Sequence, residues 1–137
     1  MTSAPRDISA GFADNPFHKY LGLTLDEARP GFARICLHTS DRTPGGISNS
    51  VHGGVLAAMV DIAMLQALFP MFGPTDQPAG TADLNITYLR PALTAKVFAD
   101  ATVLKKGRQQ AVVEVSIFDD QGRLCAKGRV IYAIRPR

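Results

Sequence analysis

The feature that most constrains this chain is a long apolar run, GGVLAAMVDIAMLQALF, at residues 53–69. It is rich in Ala, Leu and Met, which favour helix, and it is long enough to be the main helix of a domain. Glycine aside, its only residues that are not apolar are Asp61 and Gln66. A helix that is apolar on all sides is buried on all sides. We therefore expect a sheet on one face and a partner subunit on the other.

Six segments around this run have strand character, and turn residues separate most of them. A short helix at residues 15–20 should precede them, with Asn15 as its cap and Pro16 in its first position. The predicted strands are 23–28, 32–39, 81–89, 96–104, 109–118 and 123–134, and the two longest loops are 41–50 and 71–80. This order predicts an α+β domain in which a twisted antiparallel sheet wraps one long helix.

Length and composition favour a single domain over residues 1–137, with residues 1–15 as an N-terminal extension. Hydrophobic residues make up 46% of the chain and charged residues 20%, as in ordinary globular proteins. We expect no apolar run near the ~20 residues of a membrane span. The N-terminus lacks the apolar stretch of a secretory signal. These features predict a cytoplasmic protein without a membrane partner.

The net charge of +3 is unevenly distributed. Residues 90–137 hold ten Lys and Arg against four Asp and Glu, whereas residues 1–89 are net acidic. This excess favours an anionic partner, although solvated strand edges would have the same composition. The sequence contains no zinc motif, helix-turn-helix pattern or basic stripe with interleaved aromatics, so we expect no nucleic-acid partner.

Cysteine and histidine give no sign of a metal site. Cys36 and Cys125 lie in apolar, strand-like segments, which predicts two buried thiols that behave as small hydrophobic residues. The three histidines form no HxxH or HxxxH pair. We therefore expect no metal and no cofactor.

Asp61 is the first candidate catalytic residue. It lies more than two turns inside the predicted helix, where it cannot act as a cap and where Asp is unfavourable. A buried carboxylate needs a partner or takes up a proton. One interpretation is a structural ion pair with a C-terminal arginine. The interpretation we favour is a general base or nucleophile whose surroundings set its proton affinity.

The second candidate is the helix start, Val51-His52-Gly53-Gly54. The two glycines allow a ligand or another backbone to come close, and the first amides of a helix have no partner inside it. Such amides can hold a carbonyl oxygen as it gains negative charge, although an ordinary glycine-rich helix entry has the same sequence.

The spacing of the two candidates predicts a dimer. Gly53 and Asp61 are eight residues apart, which is ~12 Å along a helix. A reacting carbonyl must lie within ~3 Å of both its oxyanion donor and the attacking group. A single chain cannot meet both conditions. Two antiparallel helices from neighbouring subunits can, with Gly53 of one chain facing Asp61 of the other.

The helix sequence HGGVLAAMVDIAM and the strand sequence LNITYLRPA resemble the hotdog-fold thioesterases, in the branch typified by the phenylacetate-degradation thioesterase. The resemblance implies hydrolysis of an aryl or medium-chain acyl-CoA by a homodimer or a dimer of dimers. It implies that the Gly53 amide polarises the thioester carbonyl and that Asp61 of the opposite chain attacks it or activates water. Thr81 falls where this branch has a Ser or Thr that positions the water or the acid. His52 would shape the loop around the thioester.

At one position the chain departs from the family pattern. Members often carry Asn or Gln six residues before the motif histidine, where this chain has Gly46, while Asn49 lies three residues before it. Either Asn49 takes over the role in a shorter loop or the role is vacant. For the anionic CoA, the candidate contacts are Gly54, Arg90, Lys105, Lys106 and Arg108.

Two other functions are compatible with the same fold. One is hydration or dehydration of acyl thioesters, which typically needs a catalytic histidine, and His52 is poorly placed for that role. The other is a non-catalytic acyl-CoA-binding or sensing module, which would usually carry a DNA-binding segment. Residues 1–15 are too short and too acidic for such a segment.

Overall fold

The computed structural model describes residues 7–136. Six strands form one antiparallel sheet in the order β1-β2-β4-β5-β6-β3. The strands are β1 Leu23–Arg29, β2 Phe32–His38, β3 Asp76–Tyr88, β4 Lys96–Lys106, β5 Gln110–Asp119 and β6 Leu124–Pro136. The helices are α1 Pro16–Leu21 and α2 Gly53–Leu68, and 3-10 turns occur at Ser9–Asp14, Ile47–Asn49 and Phe69–Met71. The predicted α+β fold is confirmed.

The long helix α2 lies on the concave face of the sheet. Met59, Val60, Ala63 and Ala67 have no exposed surface and form the centre of the core. Gly128 in β6 allows this close approach, because a Cβ there would lie 2.8 Å from Cγ1 of Val60. The core therefore depends on a small residue in the sheet as much as on the apolar helix.

The first helix begins as its sequence predicts and ends at Leu21, one residue later than expected. The side chain of Asn15 accepts hydrogen bonds from the amides of Phe17 and His18, and Gly22 ends the helix in the left-handed conformation. Part of the predicted N-terminal extension is packed as well, since Phe12 is 3% exposed. Residues 1–6 of that extension lie outside the described part of the chain.

Strand β3 begins earlier than predicted. Residues 71–80 were expected to be a loop, but the strand starts at Asp76. Pro78 and Gly80 suggested a loop, but β3 is an edge strand, where a residue without an amide proton is tolerated. A register shift between Pro78 and Gly80 absorbs the irregularity as a bulge.

The expectation that no apolar run approaches the length of a membrane span was also wrong. By length and composition alone, the stretch Gly53–Met71 could cross a membrane, with 19 residues and a mean hydropathy of 1.7. A helix enclosed by a sheet has the same composition. In this fold the inner side of α2 contacts the sheet rather than solvent.

Candidate active site

His52 caps the start of α2. Its Nδ1 accepts a hydrogen bond of 2.8 Å from the amide of Gly54, and its carbonyl accepts from the amides of Val55 and Leu56. The Gly54 amide, which the sequence suggested as a ligand contact, therefore already has a partner. Among the hydrogen bonds of residues 7–136, none is donated by the Gly53 amide. One amide at the positive end of α2 is left for a ligand.

The side chain of Tyr88 packs against Gly53, and sequence reasoning missed it. Its hydroxyl donates a 2.6 Å hydrogen bond to the carbonyl of Gly53. A Cβ at Gly53 would lie 3.1 Å from Cζ and Oη of the Tyr88 ring. A side chain at Gly53 would thus be tight against the Tyr88 ring, and the Tyr88 hydroxyl holds the peptide between Gly53 and Gly54.

A cavity of about 400 Å³ opens beside Gly53. Its walls come from three segments: the loop before α2, the first turn of α2, and the chain that follows β3. Among the lining residues are Gly46, Ile47, Gly54, Tyr88, Arg90 and Ala92. Of the basic residues predicted to contact CoA, Arg90 is the one that reaches this cavity.

The loop before α2 does not bring Asn49 to the cavity. Ser48 and Asn49 both adopt positive φ, of 57° and 61°, which turns the chain sharply. Asn49 lines a separate cavity, together with Thr43 and Ala92, while Gly46 lines the one beside Gly53. A Cβ at Gly46 would collide with Oγ of Ser50 and lie 2.9 Å from the Val51 carbonyl. The loop as folded therefore has no room for a side chain at Gly46.

Asp61 and Thr81 come together on the outer side of α2. The Thr81 hydroxyl donates a 2.7 Å hydrogen bond to Oδ1 of Asp61. A bulge between Thr81 and Asp83 makes this possible, because it turns Thr81 to the same face as Leu84, towards the helix. With one oxygen held, Oδ2 of Asp61 is left for a reacting group.

No lysine or arginine neutralises Asp61 within the described residues. The ion pairs there join Arg29 to Glu27, Arg34 to Asp100, Lys106 to Asp76, Arg123 to Asp119 and Lys127 to Glu114. The alternative interpretation of Asp61 as a structural ion-pair partner is therefore without support among residues 7–136. Asp61 is also only partly buried here, because one face of α2 is uncovered.

The other predicted CoA contacts lie at the far end of β4. Lys105 and Arg108 line a cavity of about 550 Å³ that is separate from the one at Gly53. Lys106 pairs instead with Asp76 at 2.9 Å. Although burial opposes the shift, the Gly73 amide and the Lys106 ammonium lower the pKa of Asp76. The charge of Lys106 thus already has a partner.

The two cysteines are buried and free, as predicted. Burial raises the pKa of the Cys36 and Cys125 thiols, which keeps them protonated near neutral pH. They belong to the core, and the Cys125 carbonyl accepts a 3.1 Å hydrogen bond from the amide of Arg90.

Comparison with known proteins identifies the family. Residues 48–126 match the model of the thioesterase superfamily. Human acyl-coenzyme A thioesterase 13 is 33% identical over 133 residues, which is 94% of this chain and 93% of that protein. A mutant of the phenylacetic acid degradation protein PaaI from Thermus thermophilus superposes with a TM-score of 0.75 at 26% identity, covering 87% and 98% of the two chains. The BH2602 protein from Bacillus halodurans, solved with CoA, superposes at 0.68 with 28% identity, covering 74% and 66%.

The chain therefore belongs to the thioesterase superfamily. The predicted hotdog fold is confirmed, and so is the prediction of a thioester hydrolase. At the level of the family this supports acyl-CoA thioesterase activity.

Proposed function

We propose that this protein hydrolyses an aryl or medium-chain acyl-CoA to the free acid and CoA, in a site formed by two copies of the chain. The Gly53 amide of one copy binds the thioester oxygen, and Asp61 of the other provides the carboxylate. The observation that carries the proposal is Asp61 itself. It is partly exposed, has no cationic partner among the described residues, and is oriented by Thr81.

Two copies are needed because both groups lie on one rigid helix. Gly53 and Asp61 belong to the same uninterrupted element, α2, so their separation stays at ~12 Å along its axis. A thioester carbonyl cannot bridge that distance. An antiparallel α2 from a second copy puts each Gly53 opposite an Asp61.

The surface around Asp61 is suited to such pairing. The outer face of α2 is apolar but incompletely covered, with Val55, Ala58, Ile62 and Leu65 only partly buried. The edge strand β3 lies next to this face, and its 13 residues pair with β6 on one side only. An exposed edge of that length is a template for pairing with another copy.

Each group has a defined task in hydrolysis. The Gly53 amide donates to the carbonyl oxygen as negative charge develops there. Asp61 either attacks the carbonyl carbon or removes a proton from the attacking water. The C–S bond then breaks, the acyl group gains the oxygen of water, and CoA leaves as the thiol.

The two alternative functions have less support. For a hydratase, His52 would have to move a proton, but its Nδ1 is engaged with the Gly54 amide as the helix cap. For a sensor, a lone carboxylate beside the ligand would have no use, and its charge would oppose the binding of anionic CoA. Release of CoA thiol, an ultraviolet change at the enoyl band, or binding alone distinguishes the three functions.

Subunit mixing tests the shared site. Asp61→Asn removes the carboxylate, and Gly53→Pro removes the amide proton. Proline is compatible with the first helical position, and His52 before it is already extended at ψ 134°. Gly53→Ala is the matched control, since it adds a Cβ beside Tyr88 but keeps the amide proton. We expect each of the first two homodimers to be nearly inactive, and Gly53→Ala to retain most activity.

Mixing the two inactive variants under subunit exchange should restore about a quarter of wild-type activity. Random reassortment makes half of the dimers mixed, and each mixed dimer then has one intact site and one doubly altered site. If both groups came from a single chain, every site would carry a lesion. An inactive mixture would therefore disprove the shared site, once native mass spectrometry has detected the mixed dimers and circular dichroism has shown both chains to be folded.

A further inference from the structure

A fourth cavity, of about 430 Å³, lies next to α2 on the C-terminal side of Asp61. Ile62, Leu65 and Gln66 of the helix form one wall, and the segment before α1 together with α1 itself forms the other. That second wall consists of Asp7, Ile8, Gly11, Phe12, Asn15 and His18. Leu65 lies one turn after Asp61 on the same side of α2, so the cavity begins within one helical turn of the carboxylate.

Gln66 is an unusual residue for this wall. It is 4% exposed, and its Oε1 is buried without a hydrogen-bond partner. Buried carbonyl oxygens of side chains are nearly always paired, because an unpaired one loses its interaction with water and gains nothing. Rotation about the last bond of the side chain can present either atom of the amide to the cavity. The amide is therefore available to a ligand group that both donates and accepts.

His18 provides a second polar group with a defined role. It is 9% exposed, its ring stacks on Phe12 with centroids 4.1 Å apart, and its Nδ1 lies 2.9 Å from the Phe12 carbonyl. A carbonyl only accepts, so Nδ1 donates to it, and Nε2 is the ring nitrogen left for a ligand. Among the described residues, Nε2 has no hydrogen-bond partner.

We propose that this cavity binds the far end of the acyl group and selects a hydroxyl there, with Gln66 and His18 as the residues that recognise it. The inference depends on the proposed function, since it assumes that Asp61 holds the thioester. The remaining wall residues Ile62, Leu65, Ile8 and Phe12 are apolar and suit the carbon skeleton. A hydroxyl is the smallest group that can accept from one side chain and donate to the other.

The charges around the cavity favour a neutral group over an acidic one. Asp7 is exposed at the edge of the cavity, and hydrogen bonds from Ser9 lower the pKa of its carboxyl. A second carboxylate at the end of the acyl group would face this charge. A hydroxyl has no such repulsion.

The position of Gln66 gives the length of the acyl group. Five residues separate it from Asp61, which is ~7.5 Å along the helix axis. An extended six-carbon chain with a terminal hydroxyl reaches about that far from its thioester carbon. Its matched comparison is heptanoyl-CoA, in which a methyl group replaces the hydroxyl at nearly the same size.

The test compares kcat/KM for 6-hydroxyhexanoyl-CoA and heptanoyl-CoA, measured by release of CoA thiol. Gln66→Met keeps the length of the side chain but removes its polar atoms. We expect it to lower the ratio of hydroxyl to methyl substrate about tenfold, the effect of one lost hydrogen bond. Gln121→Met, in the exposed turn before β6, is the matched control and should leave the ratio unchanged.

A second measurement needs no variant. In the wild-type protein, ω-hydroxyacyl-CoAs of four, six and eight carbons are each compared with the chain that carries a methyl in place of the hydroxyl. The ratio of hydroxyl to methyl substrate should be lowest at four carbons, where the hydroxyl falls short of Gln66. If both substrates are hydrolysed and the ratio of hydroxyl to methyl substrate changes neither with chain length nor with Gln66→Met, the selection of a hydroxyl is wrong. The thioesterase proposal would then still stand. No hydrolysis of any of these thioesters would reject the proposed substrate class, and this inference with it.

Discussion

The two faces of α2 differ in what surrounds them. On the inner face, which packs against the sheet, Met59 and Ala63 have no exposed surface. On the outer face, Ala58, Asp61 and Ile62 are partly exposed although most of that face is apolar. The inner face fixes where the helix lies, and the outer face carries the carboxylate and the surface proposed for a second copy. One apolar sequence thus serves folding on one side and function on the other.

The largest effect should come from Asp61→Asn. We expect turnover to fall by at least ~100-fold, the scale for losing a catalytic base, while the melting temperature changes little. The reason is that Asp61 is partly exposed and has no ion pair within the described residues to lose. Steady-state kinetics and thermal unfolding on the same preparation check both parts. If stability fell sharply and activity stayed proportional to the amount of folded protein, Asp61 would support the fold, like the residues of the inner face, and would not be the catalytic base.

The inner face should show the opposite response. Met59→Ala removes a fully buried side chain and leaves a cavity, so the free energy of unfolding should fall by ~2–5 kcal/mol. The activity of each folded molecule should stay close to that of the wild type. Chemical denaturation with matched kinetics measures both quantities.

Ala58→Glu, one residue earlier on the outer face, is the contrasting variant. We expect it to be folded but inactive, and light scattering should show it to be monomeric.

Most of the fold follows from sequence patterns. α2 was predicted from its uniform apolar composition and ends within one residue of the expected position. The start of β3 was missed because Pro78 and Gly80 are loop residues in most settings, and only the edge position of the strand makes them tolerable. Whether a strand lies at the edge or in the centre of a sheet depends on the order of the strands, and local sequence does not contain that order.

The site was less predictable than the fold. Asp61 and Gly53 stood out as chemical exceptions in an apolar helix, so the sequence offered them as candidates. The contact between Thr81 and Asp61 depends on a bulge that changes which face of β3 each residue occupies, and a strict alternation would misplace it. Tyr88 follows the regular alternation from Leu84, so its face of β3 needs no bulge. Its contact with Gly53 depends on how the start of α2 packs against the end of β3, and local sequence does not contain that packing, which explains why Tyr88 was missed.

A moderate effect is expected from Thr81→Val, which removes the hydroxyl that holds Oδ1 of Asp61 but keeps the shape of the side chain. We expect kcat to fall about tenfold with little change in KM, because one oriented hydrogen bond is lost from the reacting carboxylate. Thr81→Ser keeps the hydroxyl and should retain most of the turnover. Equal losses in the Val and Ser variants would mean that packing in β3, rather than the hydrogen bond, supports Asp61.

The smallest effect should come from Tyr88→Phe, which removes the hydrogen bond to the Gly53 carbonyl but leaves the ring over the glycine. The ring alone keeps the first peptide of α2 close to its place, so we expect a roughly threefold loss of kcat/KM, the size of a weak positioning effect. Tyr88→Ala also opens the wall of the cavity beside Gly53, and it should lower kcat/KM more than Tyr88→Phe does.

The comparison with Asp61→Asn is informative because the two changes lie on different chains of the proposed shared site. In the mixing experiment, Tyr88→Phe placed on the chain that supplies Gly53 should slow the restored site. Placed on the chain that supplies Asp61, it should have no effect. Equal slowing from both placements would show that Tyr88 acts through the fold of each subunit and does not position the Gly53 amide.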